Sequence, residues 1–129
     1  MIEEGLTSLL LASNQLQQLV GDRIYPVLVP ESSPYPCISY QTISEVSDNT
    51  SDGPSGYVDR RIQVDAWGKS YPDVRHAQDA VRQAIEGFSG TLSDGTVVMS
   101  VRSVNSFDGF ESDARIYRSS ADYIVTFLQ

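Results

Sequence analysis

The hydrophobic pattern changes its period in the middle of the chain, and this change constrains the fold more than any other feature. Along residues 57–67, Ile62, Val64 and Ala66 alternate with polar residues, which predicts a β-strand with one buried face. Residues 70–88 then space their apolar side chains three and four apart, which predicts an amphipathic helix. Each element has one apolar face, so the chain needs a helix layer packed on a sheet.

The rest of the sequence predicts further helices and strands around this pair. An acidic amphipathic helix is expected over residues 2–12, and a second helical piece between the cap Ser13 and the terminator Gly21. Ser70 is expected to cap the central helix. Extended segments are expected at residues 23–25, 37–43, 97–102 and 115–128. The prediction is a single α+β domain, residues 1–129, with an antiparallel β-sheet and two main helices packed on one side of it.

Two polar segments are predicted to be loops. Residues 47–56 are almost wholly Ser, Asp, Asn, Thr, Gly and Pro, which indicates a mobile loop at the end of a hairpin. Residues 105–113 form a second polar segment that holds Phe107 and Phe110 among acidic residues. Both loops are therefore candidates for contacts with other molecules.

The segment before the second polar segment is predicted to be a regular strand with two alternating sets of side chains. Val97, Met99 and Val101 alternate with Val98, Ser100 and Arg102. The Asp-Gly pair at residues 94 and 95 predicts a tight turn at its start.

Charge and cysteine content exclude several classes of function. The sequence has 17 acidic and 9 basic residues and a formal net charge of −8, which disfavours nucleic-acid binding by bulk charge. The single cysteine, Cys37, excludes an internal disulfide and a thiolate zinc site. The acidic start and the short apolar run at residues 9–12 predict neither a signal peptide nor a membrane span. A soluble cytoplasmic protein is the expectation.

The residues that could carry catalysis or hold a metal lack the necessary neighbours. His76 is predicted to be a solvated helix residue, because nothing nearby in sequence orients it as a base. Cys37 is predicted to be buried at the start of a strand. The acidic groups lack the spacing of a calcium loop; they are Asp48, Asp52 and Asp59, and Asp108, Glu111 and Asp113. We therefore assign no catalytic, cofactor-binding or metal-binding residue.

Two further features have more than one interpretation. Arg60 and Arg61 adjoin Asp59, which favours a local ion pair or a subunit contact over a nucleic-acid patch. Trp67 falls on the strand face opposite Ile62. It either covers a second small core or anchors a partner.

The order of motifs along the chain resembles the tail completion proteins of long-tailed phages and prophages, also called tail terminators or head-to-tail joining proteins. The resemblance covers nearly the whole chain and lies in the order and spacing of six segments. These are residues 2–6 (IEEGL), 20–26 (VGDRIYP), 36–40 (PCISY), 52–56 (DGPSG), 61–67 (RIQVDAW) and 80–90 (AVRQAIEGFSG).

The resemblance implies a structural protein of the virion without enzymatic activity. Such proteins form a hexameric ring that caps the tail tube, ends its polymerisation and offers a docking surface to the head connector. The implied partners are other copies of the chain, the tail tube protein and the head connector or neck protein. The implied location is the tail-neck region of the virion, after assembly in the host cytoplasm, with no membrane involved.

The charge is compatible with a channel through which DNA passes without specific binding. Six copies at −8 each would carry −48, and a channel lined with part of that charge would not hold DNA. A different ring component of a phage connector or of a phage-tail-like secretion machine is the alternative. A small ligand-binding or hydrolase domain is the least favoured.

The two predicted loops and the sheet edges are the expected interface with other copies or partners. The candidate residues are Asp52, Gly53, Tyr57, Arg60, Phe107, Asp108 and Phe110. The competing interpretation is that both loops lie in solvent and the two phenylalanines fill a satellite core.

Overall fold

The computed structural model describes the chain at residues 1–50 and 53–129, and the side chains of residues 1–47 and 56–129. Its helices are α1 (Ile2–Leu11), α2 (Asn14–Val20) and α3 (Tyr71–Ile85). Its strands are β1 (Ile24–Pro26), β2 (Cys37–Thr50), β3 (Gly53–Gly68), β4 (Gly90–Thr91), β5 (Val97–Glu111) and β6 (Ile116–Leu128).

The six strands form one sheet in the order β1-β2-β3-β6-β5-β4. The β1–β2 pair is parallel and the other pairs are antiparallel, so the sheet is mixed at one edge. All three helices contribute to one core with the strands, as Leu6, Leu16 and Val81 show together with Val64 and Val125. This arrangement confirms the predicted α+β fold with its helices on one side of the sheet.

The helix ends follow the capping residues that the sequence predicts. Ser13 separates α1 from α2, and its side chain accepts a hydrogen bond from the Leu16 amide. Gly21 ends α2 at a φ of 58°, a left-handed value that suits a residue without a Cβ. Ser70 caps α3 by accepting from the Asp73 amide. These local predictions are confirmed.

The predicted loop at residues 105–113 is wrong over most of its length. Strand β5 continues to Glu111 and pairs with β6, with Phe107 opposite Ser120 and Glu111 opposite Ile116. The backbone N–H and C=O groups of β5 form hydrogen bonds with β6, and these bonds do not depend on the polarity of the β5 side chains. The low hydrophobicity of this segment therefore does not prevent it from pairing as a strand.

The other predicted loop, residues 47–56, is shortened by its flanking strands. The hairpin expected there is confirmed, with Thr50 of β2 opposite Gly53 of β3. The candidate residue Asp52 lies outside the residues that the structure describes.

The predicted alternation at the start of β5 is also wrong. Val98 and Val101 are buried, at 1% and 2% exposed, whereas Met99 is 47% exposed. The cause is a β-bulge between Val98 and Ser100, which inserts Met99 as an extra residue. The residues before the bulge therefore face the opposite side of the sheet from the one that regular alternation with Val101 predicts.

Helix α3 is joined to the sheet by a buried glutamine that the sequence pattern did not single out. Gln78 is 4% exposed, and its Nε2 donates to the carbonyl oxygens of Val64 at 3.0 Å and Ser119 at 2.7 Å. Because these carbonyls belong to β3 and β6, a single side chain positions the helix over the centre of the sheet.

A buried tyrosine makes the stability of the fold sensitive to alkaline pH. Tyr123 is 1% exposed, and burial, with a smaller contribution from the Glu86 charge, raises its pKa from 10.0 to about 12. The stability contributed by the neutral phenol is complete below pH 10 and is lost as the pH rises to about 12, because the unfolded chain releases its proton first.

We therefore expect Tyr123→Phe to lose less stability than the wild type as the pH rises through this range. Thermal denaturation followed by circular dichroism at several pH values measures the difference. Tyr35→Phe serves as a control and should keep the wild-type pH dependence. Parallel curves for wild type and Tyr123→Phe would contradict the assignment.

Candidate interaction surface

The sheet face turned away from the helices, here called the open face, carries an arginine between two aromatic rings. Arg118 of β6 lies opposite Trp67 of β3 in register, and its guanidinium carbon is 5.3 Å from the centre of the Trp67 ring. The same carbon is 5.6 Å from the centre of the Phe107 ring on β5. Phe107 is 44% exposed, so it forms the outer layer of this stack.

Hydrogen bonds hold the stack in place from beneath. The Trp67 Nε1 donates to Ser39 Oγ at 2.9 Å, and the Arg118 Nε donates to Ser120 Oγ at 2.9 Å. Arg118 also lies 3.6 Å from Asp65 Oδ1. These contacts tie the Trp67 ring and the Arg118 guanidinium to neighbouring side chains of β2, β3 and β6.

Asp65, next to this stack, is a buried carboxyl group whose pKa is shifted. Burial raises its pKa and the nearby Asp122 adds to that effect, against the opposing influence of Ser120 and Arg118. A raised pKa can indicate a catalytic acid. Here, however, Asp65 accepts a hydrogen bond from Ser120 and faces Arg118, so its contacts are those of a support for the stack.

On the helix side of the same strand pair, Asp108 fastens β5 to α3. It accepts hydrogen bonds from Tyr71 Oη at 2.7 Å and Arg75 Nη1 at 3.3 Å. Burial acts to raise its pKa, but the hydrogen bonds and the Arg75 charge outweigh that effect and the pKa is lowered. Phe110 packs edge-on against Tyr117 at 4.9 Å and remains 47% exposed.

Arg60 faces the helices and makes its contacts within the chain. Its Nη1 donates to Glu3 of α1 at 2.8 Å, and it also binds Glu45 of β2. Its guanidinium carbon lies 5.1 Å from the centre of the Phe127 ring. Arg61 faces the opposite way and pairs with Asp122 at 2.7 Å. Both arginines therefore form ion pairs within the chain, as expected, but with carboxylates distant in sequence, whereas the neighbouring Asp59 accepts from Thr126.

The structure divides the predicted interface residues into separate groups. Phe107, Asp108 and Phe110 lie together on β5, two of them on one face and one on the other. Tyr57 and Gly53 lie on β3 toward the opposite end of the sheet, where Tyr57 is opposite Leu128. Arg118 was not among the predicted residues, although the alternation along β6 places it on the open face.

The residues considered for catalysis lie apart. His76 is exposed on α3, and Cys37 is fully buried, with a pKa raised by burial. Within residues 1–50 and 53–129, no group of three or more His, Cys, Asp or Glu side chains is placed to hold a metal ion. No helix in this part of the chain is long and apolar enough to cross a membrane.

These features define a class: an α+β domain whose charged residues mainly pair internally and which exposes two phenylalanines, Phe107 and Phe110, on β5. A chain of the virion of a native gene transfer agent particle has the same fold, with a TM-score of 0.80 and 17% identity over 99% of this chain and 95% of that one. No curated protein matches the sequence significantly.

The family model for tail completion protein gp17 matches residues 4–127. The chain therefore belongs to the tail completion protein gp17 family and is a structural protein of a phage tail. The family resemblance expected from the order of motifs is confirmed.

Proposed function

We propose that this protein forms a ring on the end of the phage tail tube, stops tube polymerisation and provides the surface to which the head is joined. The observation that carries the proposal is the family match over residues 4–127. The protein would assemble with copies of itself, the tail tube protein and the head connector in the host cytoplasm, and would remain in the tail-neck region of the virion.

The chemistry of the described surface supports an assembly function. Phe107 and Phe110 are 44% and 47% exposed on β5, where Asp108 accepts from Tyr71 of α3 and Arg118 of the paired strand donates to Ser120. Preorganised aromatic residues of this kind contribute most of the binding energy in many protein interfaces. The net charge of −8 is compatible with DNA passing through a ring without being held.

Electron microscopy of the purified protein, with and without phage tail tubes, tests the proposal. We expect six-fold particles at tube ends, and tubes of defined length when the protein is present during polymerisation. Particles that join connectors but never tubes would favour a different ring component. Protein that stays monomeric beside intact tubes would contradict the proposal.

The double variant Phe107→Ser/Phe110→Ser tests whether this strand pair is a contact surface. Each phenylalanine is almost half exposed, so the fold should survive while binding to tubes or heads weakens by about thirtyfold, the effect of losing about 2 kcal/mol at a hot spot. Counting capped tubes and joined particles by microscopy measures the change.

Leu11→Ser is the matched control, because Leu11 is 38% exposed on α1, away from β5. It should cap tubes as the wild type does. A folded double variant with unchanged capping and unchanged head joining would remove the two phenylalanines from the interface.

A further inference from the structure

The two opposite edges of the sheet expose apolar side chains. On the β2 edge, Ile43 is 47% exposed and Val46 is 65% exposed. On the β5 edge, Met99 is 47% exposed and Val104 is 39% exposed. We call the first pair the β2-edge residues and the second pair the β5-edge residues. Apolar side chains collected on edges are typical of surfaces that another molecule covers.

Both edges also have a long stretch of backbone without a neighbouring strand among the described residues. Strand β1 pairs with β2 only at Ile38–Tyr40, and β4 pairs with β5 only at residues 97 and 98. Lysine and proline are two of the residues with which proteins protect such edges from pairing. Neither residue occurs in the free stretches, residues 41–50 and 99–111.

Beta-bulges occur in β2 and β5 at matching positions of the sheet, and the extra residue in each bulge is apolar and exposed. The register across β3 and β6 aligns Thr42 of β2 with Ser103 of β5. Ile43 and Val104 are the extra residues in the bulges that follow these two positions. A bulge redirects a side chain and interrupts the ladder. Contact between edges would therefore rest on these side chains.

A second pair of apolar residues lies at matching positions farther along β2 and β5. Val46 of β2 aligns with Ser100 of β5, and Met99 is the bulge residue beside Ser100. Successive antiparallel pairings make β2 and β5 run in opposite directions. A sideways repeat of the chain would thus place β5 of one copy antiparallel to β2 of the next, with all helices on the same side.

We propose that copies of this chain associate head to tail, with the β2 edge of one copy on the β5 edge of the next, Ile43 beside Val104 and Val46 beside Met99. The proposal rests on the proposed ring and specifies its interface. Each copy uses both edges once, and such unlike contacts close into a ring when the rotation between copies allows.

Complementary variants test the proposal by mixing. Ile43→Lys/Val46→Lys blocks the β2 edge, and Met99→Lys/Val104→Lys blocks the β5 edge. Each variant should associate at least about tenfold more weakly than the wild type, because contact would bury unpaired charges. An equimolar mixture should form dimers and nothing larger, since one intact edge of each kind remains. Analytical ultracentrifugation with and without tail tubes measures this.

Leu11→Lys, on the exposed surface of α1, is the matched control and should assemble like the wild type. Rings formed by either edge variant alone would overturn the edge proposal and leave the ring function standing. A mixture without dimers, while the wild type forms rings, would also overturn it. Absence of wild-type rings even on tubes would refute the ring function itself, and the edge proposal with it.

Disulfide trapping provides a second, independent measurement. Ile43→Cys and Val104→Cys chains should not cross-link alone but should give dimers when mixed on tail tubes. The native Cys37 is fully buried and should stay unreacted. A chain that carries both substitutions should give a ladder that ends at the ring size. Dimers formed by a single variant alone would show that like edges meet, which would overturn the proposal.

Discussion

Replacing Arg61 with methionine is expected to lower the free energy of unfolding by about 3 kcal/mol. Asp122 is 5% exposed and accepts two hydrogen bonds from Arg61, at 3.0 Å and 2.7 Å, and one from Gln63 at 3.0 Å. Without Arg61, the buried Asp122 carboxylate loses its counter-charge and two of its hydrogen bonds. Urea denaturation at neutral pH measures the loss.

The double variant Arg61→Met/Asp122→Leu should recover much of this loss, because it removes the charge that the single substitution leaves unpaired. Arg82→Met is the matched control. Arg82 pairs with Glu86 on the surface of α3, so its loss should leave the urea midpoint close to that of the wild type. Equal effects of Arg61→Met and Arg82→Met would show that the Arg61 pair behaves as a surface pair.

Gly5→Ala is expected to destabilise the fold by about 2 kcal/mol, although alanine favours helices over glycine by up to about 1 kcal/mol. A Cβ at position 5 would lie 2.6 Å from the Leu92 Cβ and 2.9 Å from Asp94 Oδ1. The Leu92 Cβ is tied to the backbone, so α1 must move away from the turn after β4. Urea denaturation of the variant, with the wild type alongside, gives the difference.

Gly109→Ala is the control for this substitution. Gly109 lies in β5, and a Cβ there would meet no atom within 4 Å. Its replacement should leave stability within about 0.5 kcal/mol of the wild type. If Gly5→Ala instead gains the stability expected from helix propensity alone, α1 does not sit against Leu92 as the structure shows.

The candidate surface was only partly predictable from the sequence. Phe107, Asp108 and Phe110 were chosen because they stand together in a polar segment, and the structure places them on one strand. The packing partners of the two phenylalanines are Arg118 and Tyr117, which follow in β6, and Asp108 binds Tyr71 and Arg75 of α3. The pairing of β5 with β6 brings them into contact, and no local pattern within residues 105–113 indicates that pairing.

The faces of the side chains at the start of β5 also could not be predicted from the residues of that strand alone. Period-two alternation assumes a regular strand, and a bulge at Met99 reverses the predicted faces. A bulge depends on the register with the neighbouring strand, so the residues of one strand do not reveal it.

Local sequence patterns predicted the helices, their caps and the buried face of β3. Ser13 and Ser70 accept from amides three residues away, and the alternation at Ile62 and Val64 assigns the buried face. The order of motifs predicted the family. The folded chain was needed to find the length of β5, the close approach at Gly5 and the stretches of β2 and β5 that have no neighbouring strand among the described residues. Each of these depends on groups far apart in sequence, whose meeting is set by the packing of the whole sheet against its helices.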